Sequence, residues 1–331
     1  MSEFLLSGLD GSNPIGFMAA LGATLAVSEV DASARLAWQD RGRWRPILAT
    51  DLTREQLLDA LDRDRSGWPE DPAIGLRYAK AAKDDGKGES KGGKVAHDLK
   101  PLPSIFRAYL AAAIDQAGDF RGQRFAVGAR RTLDYAAAFG TDLIEDNNGN
   151  VKPTALHFTA GQQEFLKSVS QLAQEVTRAD LEEALFGPWR YARALPMLGW
   201  DASIARDYAL RATDPSKASK LGVPGADWLA FRSLVFFPVA AVRDELRTAG
   251  CGGGWKDGHF TWALWSGWLD VDALRHACTA PDPTKLTAAE RRSRGVAAVL
   301  RAGIRRSDQG GYGSFMPAAA LPPAQGSRQR A

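Results

Sequence analysis

Apolar residues first recur in a helical pattern just after Asn13-Pro14, at Ile15, Phe17, Met18, Leu21, Leu25 and Val30. Asparagine at an N-cap with proline at the first helical position is a strong start signal. The pattern predicts a helix from Pro14 to about Val30 that turns Phe17, Leu21 and Leu25 inward. Gly16 and Gly22 lie inside it, which implies close packing against a neighbour. Ala34 to Trp38 then alternates as a short strand. A polar turn, QDRGR, leads to a second apolar run from Trp44 to Leu48, broken by Pro46. The opening reads helix, strand, turn, strand.

Further on, Thr53 and Gln56 have capping-box spacing for a helix to Arg65. Another helix is expected from Ser104 through Ile114. Thr159 and Gln162 predict one running to about Val176, followed by a short one over Leu181 to Phe186. Asp201 is placed to cap a helix containing Ile204, Tyr208 and Leu210. Trp228 to Val242 is dense in apolar, β-prone residues. Gly250 to Gly258 reads as a turn before the strand FTWALW. Thr287 and Glu290 open the last helix, on which Arg294, Arg301 and Arg305 share a face. These signals define a mixed α+β chain of helices and short antiparallel strands, without regular βαβ alternation.

Three features divide it. Residues 66 to 102 are rich in Gly, Pro, Lys and Asp, with a flexible Lys/Gly loop expected at 80–100. The turn-rich Asp146 to Pro153 is the expected boundary between an N-terminal mixed α/β region, 1–150, and a C-terminal helical and β region, 151–317. The Pro/Ala/Gln-rich end, 318–331, is expected to be disordered.

Of the 331 residues, 45% are hydrophobic and 24% charged, proportions that suit an ordinary core. Two cysteines, Cys251 and Cys278, make no disulfide framework and suit a reducing compartment. The N-terminal residues lack the basic and apolar regions of a signal peptide. No apolar run approaches the roughly 20 residues of a membrane helix, so a cytoplasmic protein without membrane contact is expected. Net charge is only +3, yet residues 285–331 hold nine Lys/Arg against two acids. A basic segment on a near-neutral body points to contact with a polyanion.

Catalytic patterns fail on inspection. Gly88 to Lys94 has phosphate-loop glycines, but Val95 stands where Ser or Thr would hold magnesium, and no strand precedes it. His97-Asp98 lacks the upstream histidine of metal phosphohydrolases, since the chain has four histidines and none before His97. Glu89 and Lys91 behind Asp71 outline a nuclease site set among glycines that would not hold it. Cys251, His259, His276 and Cys278 lack close paired zinc ligands. No catalytic residue, metal or cofactor is expected.

Three basic clusters suit nucleic acid instead. Arg41, Arg43 and Arg45 flank Trp44 on a turn, combining phosphate contact with stacking. Lys80, Lys83, Lys87, Lys91 and Lys94 can follow a phosphate backbone. The third holds Arg301, Arg305 and Arg306, followed by Tyr312 and Phe315 in GGYGSF.

LSGLDGSNPIGFMAALG, followed by ARLAWQDRGRWRPIL, resembles the start of the large subunit of type I-G (formerly type I-U) CRISPR Cascade complexes. A G-x-NP-x-GF-x-AALG helix opens that group. HFTAGQQEFL, WDASIARDYALRATDPS, PGADWLAFRSLVFFPV and the terminal GGYGSF are also similar to it. The chain is short for such a subunit and has no evident C-terminal helical bundle, as in a compact variant. The resemblance implies a non-catalytic role in antiviral defence, in company with guide RNA, target double-stranded DNA, and backbone and foot subunits. It implies reading of a short protospacer-adjacent motif, help in opening the duplex, and recruitment of a helicase-nuclease. The alternatives are a divergent metal-dependent nucleic-acid-processing enzyme, and a structural adaptor that binds other subunits through Trp255 to Trp268.

Overall fold

The computed structural model describes residues 1–79, 94–118, 127–159, 163–204, 221–280, 282–306 and 312–325. In chain order the elements begin with β1 (Ser2–Leu5), α1 (Pro14–Ser28), β2 (Arg35–Asp40), β3 (Trp44–Thr50) and α2 (Arg54–Ser66). There follow β4 (Tyr78–Ala79), β5 (Val95–Ala96), α3 (Pro103–Ala117), α4 (Val127–Phe139), β6 (Gly140–Glu145) and β7 (Val151–Pro153). Next are α5 (Phe165–Glu175), α6 (Arg178–Phe186), α7 (Pro224–Arg232), β8 (Val239–Val242), β9 (Glu245–Thr248), β10 (Cys251–Gly252) and β11 (His259–Trp265). The chain closes with α8 (Val271–Thr279), α9 (Ala288–Ser293), β12 (Val296–Arg306), β13 (Gly313–Phe315) and β14 (Ala319–Ala320). The fold is α+β, and every named strand pairing is antiparallel.

One sheet is ordered β1-β3-β2, and the other runs β10-β11-β12-β13 with β14 also on β12. They meet across α1. Every residue from Pro14 to Val27 is buried, so α1 has no solvent face at all. Uniform burial marks a central helix, whereas an amphipathic one keeps a polar stripe. Phe17 lies 5.8 Å from the Trp38 ring of the first sheet and 5.7 Å from Trp262 of the second, centroid to centroid. Trp265 Nε1 donates to the Leu36 carbonyl at 3.1 Å, and Leu36 bridges Leu269. On another side α1 packs against α7 so tightly that a Cβ on Gly22 would lie 1.8 Å from the Leu229 carbonyl oxygen.

The packing runs across the expected boundary near residue 150. A single hydrophobic cluster extends from Leu6 to Phe315, and the Asp146–Pro153 turn joins the hairpin β6–β7. The C-terminal end is also ordered as far as it is described. β14 pairs β12, Ala324 bridges Thr287, and Arg291 donates to the carbonyls of Leu321 and Pro322. The segment read as β-prone, Trp228 onward, forms α7 and a 3-10 turn before reaching β8.

Candidate nucleic-acid interface

The Arg41–Arg45 cluster forms the tip of the β2–β3 hairpin. Gly42, at φ +78°, makes the turn, and its amide is held by Asp40 Oδ1 at 3.0 Å. The arginines then diverge in use. Arg41 Nε donates to Gln39 Oε1 at 2.7 Å. Arg45 Nη1 donates to the Leu9 carbonyl at 2.6 Å. Arg43 is exposed, and its guanidinium has no hydrogen-bond or ion-pair partner among the described residues. Trp44 is half-buried and packs against the core.

Arg43 and Arg45 line a cleft of about 820 Å³. Its other walls are the loop before α1 (Ser7 to Asn13), the segment after α6 that carries Trp189 and Tyr191, and Pro317–Ala318. Asn13 stands at the N-cap position of α1, yet its side chain makes no capping bond. It reaches instead across the chain: Nδ2 donates to Asp201 Oδ1 at 2.8 Å, and Oδ1 accepts from the Ala202 amide at 3.2 Å. Asp201 also accepts from the Tyr191 hydroxyl at 3.0 Å and from Ser203 Oγ at 2.7 Å. Tyr191 is a non-glycine residue held at φ +51°, a conformation that persists where surroundings enforce it. Burial, together with the nearby Asp201 charge, pushes its phenol up to about 12 against the pull of Ser203, so it remains a donor. The asparagine of the opening motif thus fixes a tyrosine of the cleft wall through one aspartate.

Among the described residues, the other basic positions do not line this cleft. Lys83, Lys87 and Lys91 lie outside the described residues, as does Lys80, while Lys94 is exposed just before β5. Arg294, Arg301 and Arg305 do not share a helix. α9 stops at Ser293, Gly295 adopts φ +66°, and Val296–Arg306 runs as a strand against β11. The even spacing keeps Arg301 and Arg305 on one strand face, Arg306 takes the other, and Arg294 ends α9. Arg301 Nε donates to Thr261 Oγ1 at 3.0 Å. Arg306 is committed to structure: it donates to the Ala155 carbonyl at 2.9 Å and the His157 carbonyl at 3.2 Å, with the Trp255 ring 4.9 Å away. Burial lowers its pKa.

Of the residues in the catalytic patterns, Gly88 to Gly93, with Glu89 and Lys91, lie outside the described residues, while His97, Asp98, Asp71 and the two cysteines lie within them. His97 Nε2 contacts the Ile74 carbonyl at 2.6 Å, while the His97 amide donates to Glu164 Oε2 at 3.1 Å. Asp98 Oδ1 accepts from the Phe165 amide at 2.9 Å and meets His157 Nε2 at 3.1 Å. The pair ties the loop before α3 to the start of α5. Asp71 caps a 3-10 turn and binds Arg131 at 2.8 Å. Cys251 and Cys278 both line a second pocket of about 230 Å³, and burial pushes each thiol up to about 12, away from thiolate reactivity. Among the described residues no group of three His, Cys, Asp or Glu could hold a metal, and no helix is long and apolar enough to cross a membrane. Neither a family model nor a curated protein matches the chain.

Proposed function

We propose that this chain is a non-catalytic, nucleic-acid-contacting subunit of a CRISPR Cascade effector complex in the cytoplasm. In that reading it contacts target duplex DNA beside the protospacer-adjacent motif, alongside guide RNA and the backbone and foot subunits, and helps to recruit a helicase-nuclease. The observation that carries it is Arg43, without a partner among the described residues, on a hairpin tip at the rim of the cleft. Arginine on a stiff mount can pair bidentately with a guanine edge, while lysines such as Lys83, Lys87, Lys91 and Lys94 act as point charges on phosphate. The opening LDGSNPIGF, whose resemblance motivates the assignment, supplies one wall of that cleft.

The test is DNA binding by the assembled complex on targets that differ only in the short flanking motif, over a salt series. Arg43→Ala is expected to reduce discrimination between motifs by about 1–3 kcal/mol. Neutralising the four lysines is expected to weaken matched and mismatched targets equally, and to flatten the salt dependence by about 0.9 log units per lost phosphate contact. Discrimination that survives Arg43→Ala and fails in the lysine variant reverses the assignment. DNA or RNA cleavage by the purified chain with magnesium, manganese or zinc, abolished by changing one acidic cluster, would establish an enzyme instead. A structural adaptor is favoured by one observation, the 60% exposure of Trp255 and 40% of Trp268. Absence of nucleic-acid affinity would select it.

A further inference from the structure

We infer that the cleft receives one unpaired nucleotide, its base against the Trp189–Tyr191 wall and its phosphate toward Arg43 and Arg45. This rests on the nucleic-acid reading above and adds what that reading leaves open, which is the form of the nucleic acid that enters.

Size is the first argument. At about 820 Å³ the cleft falls within the roughly 300–1,000 Å³ of small-ligand sites. One nucleotide fits such a space, and a base pair with its two backbones does not. The chemistry of the walls is the second. Trp189, Tyr191, Pro188 and Phe186 form an apolar, largely aromatic side, and the two arginines form a cationic side. A nucleotide has the same division into a flat apolar base and an anionic phosphate. Among the described residues the only carboxylate lining the cleft is Asp10, which already accepts from the Ser12 amide at 2.9 Å and its hydroxyl at 2.6 Å.

Preorganisation is the third argument. Trp189 Nε1 donates to the Ala184 carbonyl at 3.0 Å. The Trp189 and Tyr191 rings meet edge to face at 6.1 Å. Tyr191 is tied to Asp201, and Asp201 to Asn13. Both rings are therefore half-buried, oriented and still open on the cleft side, so a base that lands there orders little side chain in doing so. Asn13 is a positioning residue in this scheme, since it acts through Asp201 and Tyr191.

The test compares two labelled probes against the full chain by fluorescence polarisation at low salt. One is a perfect 20-base-pair duplex, and the other is the same duplex with a single bulged thymidine. The bulged probe is expected to bind at least about five-fold tighter, the low end of what one stacked base contributes. Trp189→Ala should abolish that preference, and Trp189→Phe should retain it. A second measurement needs no variant. With 5-iodouridine at the bulge, photocrosslinking to the unaltered chain should map to Trp189 or Tyr191. Equal affinity for both probes, or crosslinks confined to other segments, overturns the nucleotide cleft while duplex binding keeps the broader function. Binding of neither probe overturns both.

Discussion

Arg43 and Arg232 carry the same side chain into opposite surroundings. The Arg232 side chain is 1% exposed and fully paired: Nε and Nη2 grip Asp64 at 2.8 and 3.0 Å, Nη2 also reaches Glu29 at 2.8 Å, and Nη1 donates to the Tyr135 hydroxyl at 2.9 Å. Its guanidinium lies 4.7 Å from the Trp68 ring. Burial alone would favour losing the proton, but Asp64, Tyr135 and Glu29 outweigh it and hold the charge. Arg131, bound to Glu29 and Asp71, extends the same cluster. Arg43 sits in solvent with no partner among the described residues. A buried charge needs its complement within the fold, whereas an exposed one without a partner is available to something outside it. The difference teaches where to look for function: at charges the fold has left uncommitted.

The largest expected effect tests that contrast directly. Arg232→Met leaves Asp64, 6% exposed, without its cation, and should cost about 3–5 kcal/mol in urea unfolding. Arg43→Ala should shift stability by no more than about 0.5 kcal/mol. The cluster joins Asp64 of α2, Tyr135 and Arg131 of α4 and Arg232 of α7 to Glu29, just past the end of α1, and equal stability of both variants would mean that it does not hold them together. If both are equally damaged, Arg43 has a structural role and loses its claim as the contact residue.

Two glycines sharpen the same division between packed centre and open tip. Gly22→Ala drives a methyl into the Leu229 backbone, which cannot swing aside as a side chain could. Overpacking of this kind costs about 1–3 kcal/mol, and the rigid obstacle puts this site at the upper end. At Gly42 an added Cβ would meet nothing within 4 Å, so only the positive φ resists. Gly42→Ala should therefore cost about 1 kcal/mol. Paired thermal melts decide the matter. Gly42→Ala as damaging as Gly22→Ala would mean that the hairpin tip is more tightly coupled to the core than its open surroundings imply.

Local signals were legible where the local residues did the deciding. Asn13-Pro14 started α1, the capping boxes at Thr53–Gln56 and Thr287–Glu290 both formed, and QDRGR made the hairpin turn. Signals failed where distant groups overrode them. Asn13 left its capping role for Asp201, 188 residues away. The Thr159–Gln162 spacing did not open α5, which starts at Phe165 behind Glu164, while Thr159 Oγ1 sits 3.1 Å from His157 Nε2. α7 is buried along its whole length, so it has no polar face to reveal a helical period. The strand character of Val296–Arg306 shows only once β11 lies beside it. The cleft had no sequence signature, because its walls come from residues near 10, 45, 190 and 317.

The smallest effect concerns the root of the hairpin, at the end opposite Arg43. Asp31 accepts from Thr50 Oγ1, from the Ser33 amide at 2.9 Å and hydroxyl at 2.7 Å, and from the Asp51 amide at 2.7 Å. It thereby pins the turn after α1 to the end of β3. Burial acts to raise its carboxyl, but these hydrogen bonds outweigh burial and bring it to about 2, from 3.8. A carboxylate depressed in the folded state stabilises fully above its unfolded pKa and stops doing so as pH falls through its folded one. The Asp31 contribution should thus be whole above about pH 5, fade as pH falls through about 4, and be mostly gone by about pH 2. Asp31→Asn removes the titration while retaining one acceptor oxygen. In urea unfolding the gap between wild type and Asp31→Asn should be constant from pH 7 to 5, then close on the way to pH 2. A gap that stays constant down to pH 2 would mean that the root is held by geometry alone, with the charge on Asp31 adding nothing.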